Sequence, residues 1–231
     1  MYQLPLNVQL DDSADFTNFL SAHNAQLINR LQSMHSHSHD FIFVWGQTET
    51  GKTHLASAVC HEASNKNLNV AYLPVDNPAI MPEILQGMAT MDIICIDNVE
   101  TILGNPEWEI KLFDLYNNLN NEKKSLIIFS RLPLNEAPTK LADLQSRLMA
   151  MEIYRLIPLD DEQKIELMIK RAANRGLELS AEVSRYIITH YSRSVDQLIH
   201  MLEKLDRSSM SLQRKITIPL VKEIFKDNAA S

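Results

Sequence analysis

The run Phe41-Ile42-Phe43-Val44-Trp45-Gly46-Gln47-Thr48-Glu49-Thr50-Gly51-Lys52-Thr53-His54 decides the reading of the whole chain. Five apolar residues in succession describe a strand buried on both faces. Residues 46–53 then match G-x-x-x-x-G-K-[ST] at every fixed position, and Leu55, Val59 and Cys60 follow at helical spacing. Strand, glycine loop and helix in this order predict a phosphate cradle. The glycines let the backbone curl so that successive N–H groups point at phosphate oxygens, and the positive end of the following helix adds to the attraction. Gly46, Gln47, Thr48, Glu49, Thr50, Gly51, Lys52, Thr53 and His54 are the candidate nucleotide contacts. Lys52 is expected to meet the outer phosphates and the Thr53 hydroxyl to coordinate Mg²⁺.

Outward from this loop, Val70 to Leu73, Ile93 to Ile96, Leu126 to Phe129 and a stretch near Ile153 to Leu156 read as further buried strands. Helical spacing separates them, as at Ile110, Phe113, Leu115 and Leu119. The alternation predicts an α/β fold with a parallel five-stranded sheet sandwiched by helices. After Pro158 the character changes: 160–175, 181–191, 194–207 and 219–226 are amphipathic and strand-free, which predicts a small C-terminal all-helical lid. Three parts are therefore expected: an extended arm at 1–15, a nucleotide-binding α/β domain at 16–158 and the lid at 159–231. Asp97 ends the third strand 45 residues after Lys52 and is the expected second magnesium partner. The next position holds Asn98, which cannot act as a base, and Glu100 lies two residues further on.

Of the 231 residues, 29 are acidic and 22 are Lys or Arg, a net charge of −7 that argues against an independent nucleic-acid binder. DNA is expected to be reached only through partners. No apolar run attains the roughly 18 residues of a spanning helix, and the N-terminus lacks a signal-peptide order, so no membrane is expected and the cytoplasm is. Cys60 and Cys95 lie in apolar segments and read as reduced, buried thiols. The alternating His35-Ser36-His37-Ser38-His39 has no Cys or acidic cluster beside it and reads as a connection, not a metal site.

The run Ile94-Cys95-Ile96-Asp97-Asn98-Val99-Glu100, with Trp108-Glu109 and Leu112-Phe113-Asp114-Leu115-Tyr116-Asn117, resembles the DnaA/Hda family of the AAA+ superfamily. Arg214-Lys215-Ile216-Thr217-Ile218-Pro219 and Val221-Lys222-Glu223-Ile224 extend the likeness to the far end. The resemblance implies a first sensor at Ser130, although the initiator's Ser-Asp pair here reads Ser130-Arg131. It also implies an arginine finger acting in trans at Arg147, within Leu144 to Leu148, and a second sensor at Arg193. Gln3, Leu4, Pro5 and Leu6 resemble the family's short motif for docking on the DNA polymerase sliding clamp (beta subunit). The implied ligand is ADP, another nucleoside diphosphate or ATP, with Mg²⁺, and self-association is a family habit. The implied role is that of a regulator: with the DNA-loaded clamp it stimulates ATP hydrolysis by the initiator DnaA and prevents re-initiation of replication. Intrinsic hydrolysis is expected to be weak or absent, given Asn98. An autonomous AAA+ ATPase acting as a loader or remodeller would share the loop, Asp97 and both arginines.

Overall fold

The computed structural model describes residues 14–20, 23–35, 38–212 and 215–225. The chain divides into two compact units, Met1–Pro158 and Leu159–Ser231. The first is built on five parallel strands: β1 (Phe41–Trp45), β2 (Val70–Pro74), β3 (Ile93–Asp97), β4 (Ser125–Ser130) and β5 (Glu152–Arg155), in the order β2-β3-β4-β1-β5. Helices α1 (Ala25–Gln32) and α2 (Lys52–Asn65) cover one face, where Leu27, Leu31, Leu55 and Val59 meet Ile42, Val44, Cys95, Ile127 and Phe129. Helices α3 (Pro106–Asn121) and α4 (Ala142–Met149) cover the other, where Leu112, Leu115, Leu144 and Leu148 meet Phe43, Ile94, Ile96 and Ile128. Two covered faces explain the unbroken apolar runs, because side chains alternate between two dry layers and neither tolerates a polar group.

Three details depart from the sequence reading. The crossover between β2 and β3 is a 3-10 segment, Pro82–Thr90. The buried stripe of α3 is Trp108, Leu112, Leu115, Tyr116 and Leu119, while Ile110 is 51% exposed. Ala14 and Asp15 do not belong to a free arm. Ala14 is fully buried, its carbonyl bonds His61 Nδ1 at 2.7 Å, and the Asp15 carbonyl bonds His54 Nε2 at 3.1 Å.

The second unit contains α5 (Asp161–Asn174), α6 (Ala181–His190), α7 (Val195–Leu212) and α8 (Ile218–Ile224) around Ile187, Leu198, Leu202, Leu205 and Val221. Asp160 and Gln163 form a capping box that starts α5, and the Ser180 hydroxyl caps α6. Among the described residues no helix is long and apolar enough to cross a membrane.

Candidate nucleotide site

Between β1 and α2 the loop Gly46 to Gly51 turns back over the sheet's edge of strand tips, and two glycines are sterically required there. The Gly46 N–H donates to Ser130 O at 3.0 Å, and a Cβ at Gly46 would lie 2.9 Å from both Leu156 O and Thr50 Oγ1. Gly51 has φ +91°, and a Cβ there would lie 2.8 Å from Phe19 Cε2. Thr50 Oγ1 donates to Gln47 O at 2.9 Å, tightening the turn. Lys52 is buried, and its Nζ donates to the Gly46 and Gln47 carbonyls at 2.8 Å each. Burial lowers its pKa, against the opposing pull of Asp97 and Glu100. An ammonium held by neutral carbonyls keeps its charge available to an anion.

At the tip of β3, wholly buried Asp97 gathers donors from three elements. Thr53 Oγ1 donates to Oδ2 at 2.7 Å, Tyr72 OH donates to the same oxygen at 3.0 Å, and the Asn98 N–H donates to Oδ1 at 3.0 Å. Burial raises the carboxyl above its ordinary range, while these three donors and Lys52 pull it down. Burial and Asp97 also push the Tyr72 hydroxyl far up, so it remains a donor. The Thr53 hydroxyl and Asp97 carboxylate thus present two hard oxygens to one point, a donor set suited to Mg²⁺. Asn98 has φ 60°, a left-handed conformation that Asn accepts more readily than most residues. Glu100 is held by Arg131, Nε to Oε1 at 2.6 Å and backbone N to Oε2 at 3.1 Å. Buried Ser130 ends β4, and its Oγ accepts the Leu132 N–H at 3.0 Å.

Phe16 is buried in the core, and Phe19 covers Gly51 and lies 5.7 Å from the His54 ring. Cys60 and Cys95 are both free and buried, and their mutual hydrogen bond and burial raise the Cys95 thiol. Of the histidine run, Ser36 and His37 lie outside the described residues, and His39 packs edge-on against Phe41.

Arg147 is on the exposed side of α4 with its guanidinium 5.8 Å from the Tyr116 ring centre, and Tyr116 packs against Phe41 at 4.4 Å. Phe41 begins β1, whereas the phosphate loop follows its end. At about 3.3 Å per residue, roughly 13 Å separates the two ends. Arg147 therefore lies at the opposite end of the strand from the loop of its own chain. The segment entering α4 is pinned by Glu109, 1% exposed, which accepts the N–H groups of Gly104, Lys140 and Leu141 at 2.7, 3.0 and 2.8 Å. Arg193 stands in the lid unit, 71% exposed, 3.8 Å from Asp161. Gln3, Leu4, Pro5 and Leu6 lie outside the described residues.

A parallel sheet with this loop, a buried carboxylate at the tip of β3, one strand removed from β1, and a separate helical unit defines a protein of AAA+ build. The description of the bacterial DnaA ATPase domain matches residues 10–153, and that of the lid domain of Hda matches residues 161–225. The chain belongs to the bacterial DnaA ATPase family, with an Hda-type lid. Domain III of the Thermotoga maritima replication initiation protein DnaA is 20% identical with a TM-score of 0.79, over 95% of this chain and 98% of that one. AMPPCP-bound DnaA from Aquifex aeolicus is also 20% identical, at 0.72 over 85% and 66%. The Thermotoga maritima RuvB Holliday junction branch migration motor is 14% identical, at 0.70 over 94% and 73%. At these identities the likeness is one of fold.

Proposed function

We propose that this DnaA-related protein binds a nucleotide and regulates replication by supplying Arg147 to the nucleotide site of the initiator DnaA. The observation that supports this reading is the position of Arg147, exposed and at the far end of β1 from the loop of its own chain. A guanidinium so placed serves a nucleotide held by another molecule. Its planar, permanently charged fork suits the equatorial oxygens of a transferring phosphoryl group, and such a finger is worth roughly 10³–10⁵-fold in rate. The chain's own nucleotide, ADP, another nucleoside diphosphate or ATP, would be held by Gly46 to Thr53, with His54 and Ser130 at the margin and Arg193 in the second-sensor role that the family resemblance implies. Mg²⁺ at Thr53 and Asp97 would neutralise phosphate charge. Asn98 offers an amide where a water-orienting carboxylate would serve hydrolysis, so the bound nucleotide acts as a structural ligand. Residues Gln3, Leu4, Pro5 and Leu6 would dock on the sliding clamp as an apolar peptide in a groove and bring the protein to DNA.

The test is single-turnover hydrolysis of ATP prebound to the initiator, with DNA-loaded clamp and either wild-type protein or Arg147→Ala. The wild type accelerates hydrolysis; Arg147→Ala and Arg147→Lys leave the initiator at its intrinsic rate while still binding their own nucleotide. Full stimulation by Arg147→Ala would refute the finger. Deleting residues 1–6 removes clamp binding and the clamp-dependent part of the stimulation; clamp binding by the truncated protein would place the docking surface elsewhere.

A further inference from the structure

Three residues after Asp97 the chain carries a carboxylate that the magnesium site does not use. Glu100 sits in the 3-10 turn Val99–Thr101 at the tip of β3, its side chain 5% exposed. One residue of the neighbouring strand end engages both of its oxygens: Arg131 Nε donates to Oε1 and the Arg131 backbone N–H to Oε2. The guanidinium belongs to a side chain that is 52% exposed, so the carboxylate is the buried member of the pair. Arg131 directly follows Ser130, whose carbonyl accepts the Gly46 N–H of the phosphate loop. The pair is close enough for both charges to act on Lys52, Glu100 favouring the ammonium and Arg131 opposing it.

We propose that Arg131 is a positioning residue that withholds Glu100 from water activation, so that the site retains a bound triphosphate instead of turning it over. The inference rests on the nucleotide-site reading above and deepens it. In the withheld step a water oxygen attacks the terminal phosphorus and the water proton passes to a carboxylate. The bond from that phosphorus to the bridging oxygen breaks, and the nucleoside diphosphate leaves with the electron pair. A carboxylate acts as base only with an oxygen turned to the water and basic enough to take its proton. In Glu100 one oxygen accepts a charge-assisted bond and the other an amide bond, which fixes the group's direction and keeps both oxygens from turning to a water. Asn98 does not replace it. The site therefore has two brakes: an amide after Asp97, and a nearby carboxylate tied to Arg131.

The experiment measures partner-free single-turnover hydrolysis of bound ATP, ATP affinity, and melting without nucleotide, in Arg131→Ala, Arg131→Gln, Glu100→Gln and the Arg131→Ala/Glu100→Gln pair. Releasing Oε1, the oxygen held by the Arg131 side chain, is expected to raise hydrolysis at least about tenfold, a fraction of what a positioned base supplies, and adding Glu100→Gln is expected to return it to the wild-type level. Both Arg131 variants retain the backbone bond, and Arg131→Gln also keeps much of the side-chain bulk, so it reports even if the alanine variant fails to fold. In the ligand-free melts the two single substitutions are expected to lower stability by more, summed, than the double does. An unchanged rate in Arg131 variants that bind ATP as wild type does, or a rise that survives Glu100→Gln, would overturn the lock alone. Additive melting effects would do the same. A wild-type protein that binds no ATP would overturn the nucleotide-site reading and the lock with it.

Discussion

Replacing Glu109 tests whether α4, the helix that carries Arg147, is held from beneath. Its carboxylate is buried and accepts three backbone N–H groups, from Gly104 and from Lys140 and Leu141, which lead into α4. Truncation to Ala strands three amide donors, and each buried unsatisfied donor costs about 1–3 kcal/mol. Relief of the carboxylate's own desolvation and some entry of water offset part of that, so a net loss of about 3–5 kcal/mol is expected, the range for breaking a buried charged network. For a unit of this size that corresponds to a melting decrease of roughly 6–20 °C. Glu109→Gln keeps one acceptor oxygen but turns an NH₂ group toward the remaining donors, so it loses about 1–2 kcal/mol. The assay is calorimetric melting of wild type and both variants, followed by the initiator hydrolysis assay at a temperature where all three are folded. Because α4 carries Arg147, stimulation should fall with stability, Ala more than Gln, while nucleotide binding stays near wild type. Melting of Glu109→Ala within 1 °C of wild type, or lower melting for Gln than for Ala, would refute this reasoning.

Three further outcomes are expected. Lys52→Ala removes the buried cation of the loop, so added nucleotide no longer raises the melting temperature; a shift equal to that of wild type would remove the loop from the nucleotide reading. Asn98→Asp retains a residue that accepts φ 60° and restores a carboxylate, so partner-free ATP hydrolysis rises from its low baseline, whereas brisk turnover by the wild type would favour an autonomous ATPase. Glu152 has its pKa lowered from 4.5 chiefly by the Arg30 hydrogen bond. Its stabilising contribution is complete above that unfolded value and is lost as pH falls through the lower folded value. Melting of wild type should therefore fall more steeply below about pH 4.5 than that of Glu152→Gln, and parallel curves would exclude the pair as a source of acid sensitivity.

The sheet and the loop were legible because their causes are local. Buried parallel strands must be apolar at every residue, as Phe41–Trp45 and Ile93–Asp97 nearly are, and a backbone curled around phosphate requires glycine where φ is +91° or where a Cβ would strike Leu156 O. What escaped was non-local. Tyr72 reaches Asp97 only because β2 pairs with β3, Arg131 reaches Glu100 only because β4 ends beside the β3 tip, and Glu109 reaches Leu141 across 32 residues. Strand order sets these meetings, and no periodicity along one segment encodes it. Ile110 misled for a related reason: the pattern of apolar residues along α3 admits two stripes, and the buried one runs through Trp108, Leu112, Leu115 and Leu119.

Trp45 gives the loop a fluorophore of its own. It is the covalent neighbour of Gly46, half-buried, with the Arg155 guanidinium 5.2 Å from its ring centre. Emission from an indole under a cation responds to the distance and angle of that cation, so movement at the loop's first turn or at the end of β5 changes brightness and wavelength together. The second indole, Trp108, is buried on α3 among the aliphatic residues of the other face and senses unfolding instead. Light from residue 45 and light from residue 108 thus divide ligand-scale movement from global melting, and a Trp108→Phe variant isolates the first signal without attaching a dye.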